Sequence, residues 1–163
     1  MGYKIFLSPP HMGDLERNYL LEAFDSNWIA PVGKNIDLFE EETSHYVNRK
    51  YALAVNSGTS ALHLSLISLG IEKNDVVLCP SFTFAASANV ILYQNATPVF
   101  IDVNLETWTI DVISLEKAIK KYKPKALITV DLYGQMCNYN KITDLCKKYK
   151  IFLIEDAAES LGS

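Results

Sequence analysis

Residues 151–159 read Ile-Phe-Leu-Ile-Glu-Asp-Ala-Ala-Glu, and no other stretch indicates the fold so directly. Four apolar residues lead straight into the carboxylates of Glu155 and Asp156, and Glu159 follows after two alanines. A short apolar run of this kind is consistent with a buried strand. In an open parallel sheet, ligands bind beyond the carboxyl ends of the strands. Asp156 is therefore a candidate magnesium ligand, general base or partner of a cationic ring nitrogen; the alternative is a plain capping residue.

The same alternation of short apolar runs and helical segments extends through most of the chain. We predict strands at residues 51–55, 75–79, 97–103, 125–132 and 151–155. We predict helices at residues 14–25, where Asp14 can act as N-cap, and at 35–48, 57–70, 82–94, 114–122 and 139–150. Strands that alternate with helices indicate βαβ units and a mostly parallel sheet. The predicted fold class is α/β with three α/β/α layers, and the apolar strands predict coverage on both faces.

The composition excludes several classes of partner. The chain has 163 residues and a formal net charge of −4, which argues against nucleic acid or an anionic membrane as the main partner. No apolar run approaches the length of a membrane span. The three cysteines have no framework spacing, which predicts reduced thiols and a cytoplasmic protein. The histidines and cysteines have no metal-ligand spacing, so no metal site is predicted.

Two further motifs follow predicted strands. Residues 56–62, Asn-Ser-Gly-Thr-Ser-Ala-Leu, form a tight turn and a helix start, where free backbone N–H groups can bind a phosphate. The alternative is a plain capped helix with Gly58 serving the turn. In residues 80–87, Phe82 and Phe84 are either core residues or aromatic groups that stack on a flat ligand.

Taken in series, four motifs resemble a known family. The motifs are SGTSALHLSL at 57–66, PSFTFAASANVILYQNATPVFIDV at 80–103, ALITVDLYGQMC at 126–137 and FLIEDAAESLGS at 152–163. They resemble the DegT/DnrJ/EryC1/StrS family of nucleotide-sugar aminotransferases that depend on pyridoxal 5'-phosphate. The opening FLSPPHMG (6–13) and the segment SNWIAPVG (26–33) resemble the members that aminate UDP-4-keto-6-deoxy-N-acetylglucosamine in the bacillosamine pathway.

The resemblance implies a domain organisation. Residues 1–50 would hold the N-terminal helices and a substrate loop. Residues 51–163 would form the first part of the large domain of a fold type I pyridoxal phosphate enzyme. The small C-terminal domain would be absent, and the lysine that binds the cofactor covalently would follow Ser163. On this view the chain is an N-terminal part that is inactive alone.

The resemblance also implies residue roles. Asp156 would face the pyridine nitrogen and keep it protonated, so that the ring can accept electrons when a Cα–H bond breaks. Gly58 and Thr59 would hold the cofactor phosphate, Phe84 would stack on the ring and Glu159 would lie near the ring's oxygen edge. The residues implied to touch the sugar substrate are Asn27, Trp28, Ile29 and Ala30. Gly58 would also approach the substrate.

The implied reaction transfers an amino group from glutamate to the 4-keto carbon of a UDP-linked 4-keto-6-deoxy sugar, in a homodimer whose partner chain completes each site. Two alternatives stay open. One is a sugar dehydratase of the same family that uses the same cofactor and differs at the lysine position. The other is a non-catalytic module that binds a phosphate ligand.

Overall fold

The computed structural model describes residues 9–163, which form two compact units that divide between Ala54 and Val55. The Phe6–Ser8 part of the FLSPPHMG motif lies outside the described residues. The predicted organisation into 1–50 and 51–163 stays a prediction about the domains of a complete protein.

The N-terminal unit contains helices α1 (Asp14–Asp25) and α2 (Lys34–Tyr46), both close to their predicted positions. The prediction that Asp14 caps α1 was wrong. Gly13 is the N-cap, no side chain caps the helix, and Asp14 is its first residue. An acidic side chain there still interacts favourably with the positive end of the helix dipole.

The second unit has the predicted α/β architecture. In chain order its elements are α3 (Gly58–Ser68), β1 (Val76–Pro80), α4 (Ala86–Tyr93), β2 (Thr97–Ile101), α5 (Val112–Tyr122), β3 (Ala126–Val130), a 3-10 turn (Leu132–Gly134), α6 (Tyr139–Tyr149) and β4 (Phe152–Asp156). The sheet order is β2-β1-β3-β4, and every adjacent pair is parallel.

Two cores cover the opposite faces of this sheet and confirm the three layers. Because side chains alternate along a strand, Val77 and Cys79 of β1 pack with α3 and α4, whereas Leu78 packs with α5 and α6. Leu66 and Leu115 are fully buried representatives of the two helical layers.

The prediction that residues 51–55 form a strand was wrong. The backbone of this segment pairs with no strand of the described sheet. The Ala54 amide donates instead to the Glu40 carboxylate at 2.8 Å, while Tyr51 and Leu53 are exposed. An apolar run is a strand only where a neighbouring strand accepts its hydrogen bonds.

Coverage on both faces holds for the central strands but not for the edges. All five residues of β3 are buried, as are four of the five in β1. The edge strands expose Phe100 of β2 and Phe152 of β4. The predicted edge and central strands are similarly apolar in sequence. Apolarity alone therefore did not indicate which strands lie at the edges of the sheet, where they have a neighbour on one side only.

Two further findings concern the reactivity of the cysteine thiols and the length and apolarity of the helices. Cys79, Cys137 and Cys146 are free and buried, and burial raises the pKa of the Cys79 and Cys137 thiols to about 12. These thiols are therefore protonated and unreactive in the folded unit. Within residues 9–163, no helix combines the length and apolarity needed to cross a membrane.

Candidate functional site

The ends of β3 and β4 place the backbones of Asp131 and Asp156 next to each other. Val130 of β3 pairs with Asp156 of β4, and the Asp131 amide donates to the Asp156 carbonyl at 3.1 Å. Because the strands are parallel, β1 ends at this same edge, and its last residue Pro80 leads into the loop that precedes α4. The predicted site edge is therefore built from three strand ends.

The Asp156 side chain is partly exposed and is held from two directions. Its Oδ2 accepts a hydrogen bond from Ser87 Oγ at 3.1 Å, and its Oδ1 accepts one from the Ala158 amide at 3.3 Å. The Ala158 contact is the local turn interaction that a capping residue makes. A carboxylate can accept roughly four hydrogen bonds. Asp156 therefore keeps capacity for a donor from outside the chain.

Asp156 belongs to no cluster of metal-ligand side chains among the described residues. Across residues 9–163, no group of three or more His, Cys, Asp or Glu side chains is placed to hold a metal ion. A metal site with three such protein ligands is therefore not formed around Asp156 in the described part of the chain. The interpretation as the partner of a ring nitrogen needs no such ligands.

Phe84 lies close to Asp156 through a short hydroxyl chain. Ser87, which bonds to Asp156, also lies 3.1 Å from the Thr83 hydroxyl, and its amide donates to the Phe84 carbonyl at 3.2 Å. The Phe84 side chain is 75% exposed, which excludes a core role in this unit. An exposed ring in the loop that leaves this sheet edge can cover one face of a flat ligand.

Phe82 has a different environment. Its ring meets Trp108 and Tyr133 edge-on, with centroids 5.7 Å and 6.4 Å away. The three side chains form a half-exposed aromatic cluster beside the strand ends. Of the two phenylalanines in this loop, only Phe84 makes no ring contact among the described residues.

The start of α3 offers two free amides. Ser57 is the N-cap: its hydroxyl accepts from the Ser60 amide at 3.1 Å, and its carbonyl accepts from the Ala61 amide at 3.0 Å. The first four amides of a helix have no partner inside it. The cap therefore leaves the amides of Gly58 and Thr59 for a ligand.

Helix α3 points these amides toward the site edge. Its other end lies at the edge where the strands begin, because Lys125, which precedes β3, donates from Nζ to the Gly70 carbonyl at 2.6 Å. Lys125 Nζ also bonds to Asp75, which precedes β1, at 2.7 Å. Helix and strands are each about 16 Å long. The first turn of α3 therefore lies on the side where the strands end.

Neither the backbone nor the packing of this unit requires glycine at position 58. Gly58 is the first residue of α3, and its φ is not in the left-handed region. A Cβ added there would meet no atom within 4 Å. The interpretation of Gly58 as a turn glycine is therefore not supported. Open space before two free amides suits a phosphate group that approaches the backbone closely.

Glu159 ties two of the site loops together. Its Oε2 accepts a hydrogen bond from the Tyr133 amide at 2.6 Å, which joins the segment after β4 to the turn after β3. Tyr133 has a left-handed φ of 56°, and the short bond holds it there. The role of Glu159 near a ring oxygen stays a prediction.

Sequence reasoning gave no role to Ser87 or Asp131. Asp131 is fully buried and accepts three hydrogen bonds, from the Cys137 amide at 2.8 Å, the Tyr139 hydroxyl at 2.9 Å and the Ser160 hydroxyl at 3.0 Å. Each residue had a signal in the sequence. Ser87 is a polar residue in a mostly apolar helix, three positions after Phe84. Asp131 directly follows β3, in which only Thr129 is polar.

The predicted substrate loop belongs to the N-terminal unit. Its fold depends on Trp28, whose indole Nε1 donates to the Val32 carbonyl at 2.7 Å. The ring packs on Gly33, whose φ of +140° and contact with the indole both exclude a Cβ. Trp28 and Ile29 remain exposed, and with Ala30 they line a groove of about 950 Å³ within this unit. Asn27 sits at the start of the loop with a φ of 56°.

Residues 10–163 match the DegT/DnrJ/EryC1/StrS aminotransferase family. The chain belongs to that family. It is 50% identical to the putative pyridoxal phosphate-dependent aminotransferase EpsN of Bacillus subtilis, a match that covers 100% of this chain and 43% of EpsN. It is 41% identical to the GDP-perosamine synthase of Caulobacter vibrioides, over 98% of this chain and 43% of that protein.

Solved structures of the family have the same fold. The putative sugar aminotransferase Spr1654 of Streptococcus pneumoniae, in its PMP form, gives a TM-score of 0.88 at 30% identity and covers 98% of this chain and 44% of that one. The fold is therefore that of a fold type I pyridoxal phosphate enzyme, and pyridoxal phosphate is the cofactor that family membership assigns. The chain spans about two-fifths of the length of these relatives.

Proposed function

We propose that this chain supplies the cofactor-binding part of an aminotransferase that acts on a nucleotide-linked keto sugar. In the complete protein, an amino group would pass from glutamate to the 4-keto carbon of a UDP-linked 4-keto-6-deoxy sugar. The observation that carries the proposal is the meeting of a partly exposed carboxylate, an exposed aromatic ring and a helix with two free amides at one sheet edge.

Each group at this edge fits one part of pyridoxal phosphate. The Asp156 carboxylate has lone pairs left for the ring N–H, and the Phe84 ring is free to cover one ring face. The amides of Gly58 and Thr59, with the Thr59 hydroxyl, are placed to donate to the phosphate. Glu159, whose Oε2 accepts from the Tyr133 amide, would lie near the ring's oxygen edge. When bound, the cofactor supplies an electron sink for breaking a Cα–H bond.

The sugar is assigned to the loop of the N-terminal unit. Asn27, Trp28, Ile29 and Ala30 would contact it, and the exposed apolar surface of Trp28 and Ile29 suits the face of a sugar ring. The likeness of SNWIAPVG to the bacillosamine-pathway enzymes favours a UDP-linked sugar. We further propose a cytoplasmic homodimer, and the three buried free thiols agree with a reducing compartment.

The relatives favour a second candidate for the nucleotide. GDP-perosamine synthases from Caulobacter vibrioides, Escherichia coli O157:H7 and Vibrio cholerae are 40–42% identical to this chain. The activity in their names supports a GDP-linked keto sugar as the alternative substrate. The two candidates share the cofactor site and differ only in what the substrate loop and the rest of a complete protein recognise.

The cofactor assignment can be tested with this chain alone. Pyridoxamine phosphate is the suitable probe, because it has no aldehyde with which surface lysines could react. We expect saturable binding that inorganic phosphate displaces, and little binding of pyridoxamine, which lacks the phosphate. Binding of both compounds with equal affinity would contradict the phosphate site at α3.

The substrate assignment needs the complete protein. Assays with glutamate and either the UDP-linked or the GDP-linked keto sugar would identify the nucleotide. Trp28→Ala should impair amination of the sugar and spare the half-reaction with glutamate, because the loop serves the substrate. Equal loss in both half-reactions would show that the loop serves the cofactor or the fold instead.

A further inference from the structure

Ser87 is a fully buried polar residue that contacts the Asp156 carboxylate. It is the second residue of α4, next to buried Ala86 and three residues before buried Val90. A buried hydroxyl that lacks a hydrogen bond costs free energy. Ser87 has partners on two sides, Asp156 and Thr83, both at 3.1 Å. Neither partner belongs to the hydrogen-bond ladder of the helix itself.

The direction of these hydrogen bonds follows from counting protons. A hydroxyl has one proton to donate, and an ionised carboxylate can only accept. Ser87 therefore donates to Asp156 Oδ2, and its oxygen is left to accept from the Thr83 hydroxyl. The other acceptor within reach of Thr83, the Phe84 carbonyl, is farther away at 3.3 Å. The chain thus runs from Thr83 through Ser87 to Asp156.

We propose that Ser87 is a positioning residue that orients the Asp156 carboxylate toward the ring nitrogen of the cofactor. With Oδ2 held by Ser87 and Oδ1 by the Ala158 amide, the plane of the carboxylate is fixed and its free lone pairs point in set directions. Ser87 also bonds through its amide to Phe84. This second bond joins two backbones, so Ser87 links Asp156 to the loop that carries the Phe84 ring. This assignment rests on the proposed function.

A purely structural role predicts a different outcome. If Ser87 only stabilised the contact between α4 and β4, its loss would weaken every ligand of the site alike. If it orients Asp156, its loss matters only to a ligand whose ring carries a nitrogen. Two probes separate these cases: pyridoxamine phosphate, and its carbocyclic analogue in which C–H replaces the ring nitrogen.

The experiment compares Ser87→Ala with the wild-type chain and with Ser65→Ala as the matched control. Ser65 is a helical serine of α3 whose hydroxyl donates to the Ala61 carbonyl at 2.8 Å, away from the strand ends. We expect Ser87→Ala to weaken pyridoxamine phosphate binding about tenfold, at the lower end for a hydrogen bond to a charged group. Binding of the carbocyclic analogue should change less than about twofold, and Ser65→Ala should affect neither ligand.

A second variant keeps the test decisive if Ser87→Ala does not fold. Thr83→Val removes the donor to Ser87 without touching the Asp156 contact, and we expect a smaller loss with the same preference for the nitrogen-containing ligand. Equal losses for both ligands, or no loss for either, in the folded variant would overturn the role of Ser87 and leave the proposed function standing. Failure of the wild-type chain to bind pyridoxamine phosphate would overturn both.

Discussion

The ends of β3 and β4 carry the same residue type one strand apart, yet the two carboxylates have opposite surroundings. Asp131, after β3, is fully buried and accepts three hydrogen bonds from the protein. Asp156, at the end of β4, is partly exposed and accepts one from Ser87 and a longer one from its own turn. Because Asp156 pairs with Val130 and Asp131 is the next residue, the two side chains point to opposite faces of the sheet. Asp131 faces Tyr139 of α6, whereas Asp156 faces Ser87 of α4.

The difference shows how a structural carboxylate is distinguished from a functional one. Asp131 uses its acceptor capacity to join the loop 131–139 to Ser160, which holds the segment after β4 in place. Asp156 is fixed in orientation but not saturated, and solvent can reach it. A site residue needs both properties, because a ligand can use only the lone pairs that the protein leaves open.

Loss of the saturated carboxylate should have the largest effect on stability. Asp131→Ala removes the carboxylate that accepts from the Cys137 amide and from the Tyr139 and Ser160 hydroxyls, so we expect the free energy of unfolding to fall by about 3–5 kcal/mol. Urea denaturation of the chain measures this loss. Asp102→Ala is the control, because the exposed Asp102 carboxylate accepts one hydrogen bond among the described residues, from the adjacent Val103 amide at 2.9 Å. A loss for Asp131→Ala no greater than that of the control would break the comparison.

A substitution at the start of α3, where Gly58 and Thr59 would hold the phosphate, should reduce cofactor binding and leave stability nearly unchanged. Thr59→Val removes a hydroxyl that has no partner among the described residues, so unfolding should change by less than about 0.5 kcal/mol. Binding of pyridoxamine phosphate should weaken by roughly 1.5–3 kcal/mol, the cost of a lost hydrogen bond to a charged group. Titration by fluorescence measures it. Unchanged affinity would remove Thr59 from the site.

Substitution of Glu159 by glutamine should have the smallest effect, because it weakens one hydrogen bond without removing it. Glu159→Gln keeps an oxygen that can accept from the Tyr133 amide but loses the charge that shortens the bond to 2.6 Å. We expect a loss of about 0.5–1 kcal/mol in unfolding free energy. Glu159→Ala, which removes the acceptor, should lose more. Equal stability of all three proteins would show that this link between the loops does not contribute to the fold.

The sequence predicted the fold because its signals are local. The predicted strands at 75–79, 97–103, 125–132 and 151–155 each start within one residue of one of the four observed strands. It failed at 51–55, where strand identity depends on a neighbour that the local pattern does not reveal. The sequence also singled out Asp156 as a site candidate, since a charge directly after a buried strand needs an explanation.

The supporting residues could not be predicted in the same way. Ser87 and Asp156 are 69 positions apart, and only the packing of α4 against the sheet brings their side chains within 3.1 Å. Likewise, Asp131 and Ser160 meet because their strand ends are adjacent. A sequence indicates that a polar residue lies in an apolar context, but its partner is determined by tertiary structure.

The central claim is that β3 ends in a carboxylate for the fold and β4 in one for the cofactor. The most direct test measures unfolding free energy and pyridoxamine phosphate affinity for the isosteric variants Asp131→Asn and Asp156→Asn. We predict that Asp131→Asn loses about 1–3 kcal/mol of stability and keeps its affinity while folded, whereas Asp156→Asn keeps its stability and loses about tenfold or more in affinity. Wild-type affinity in Asp156→Asn, or equal losses of stability in both variants, would contradict the account.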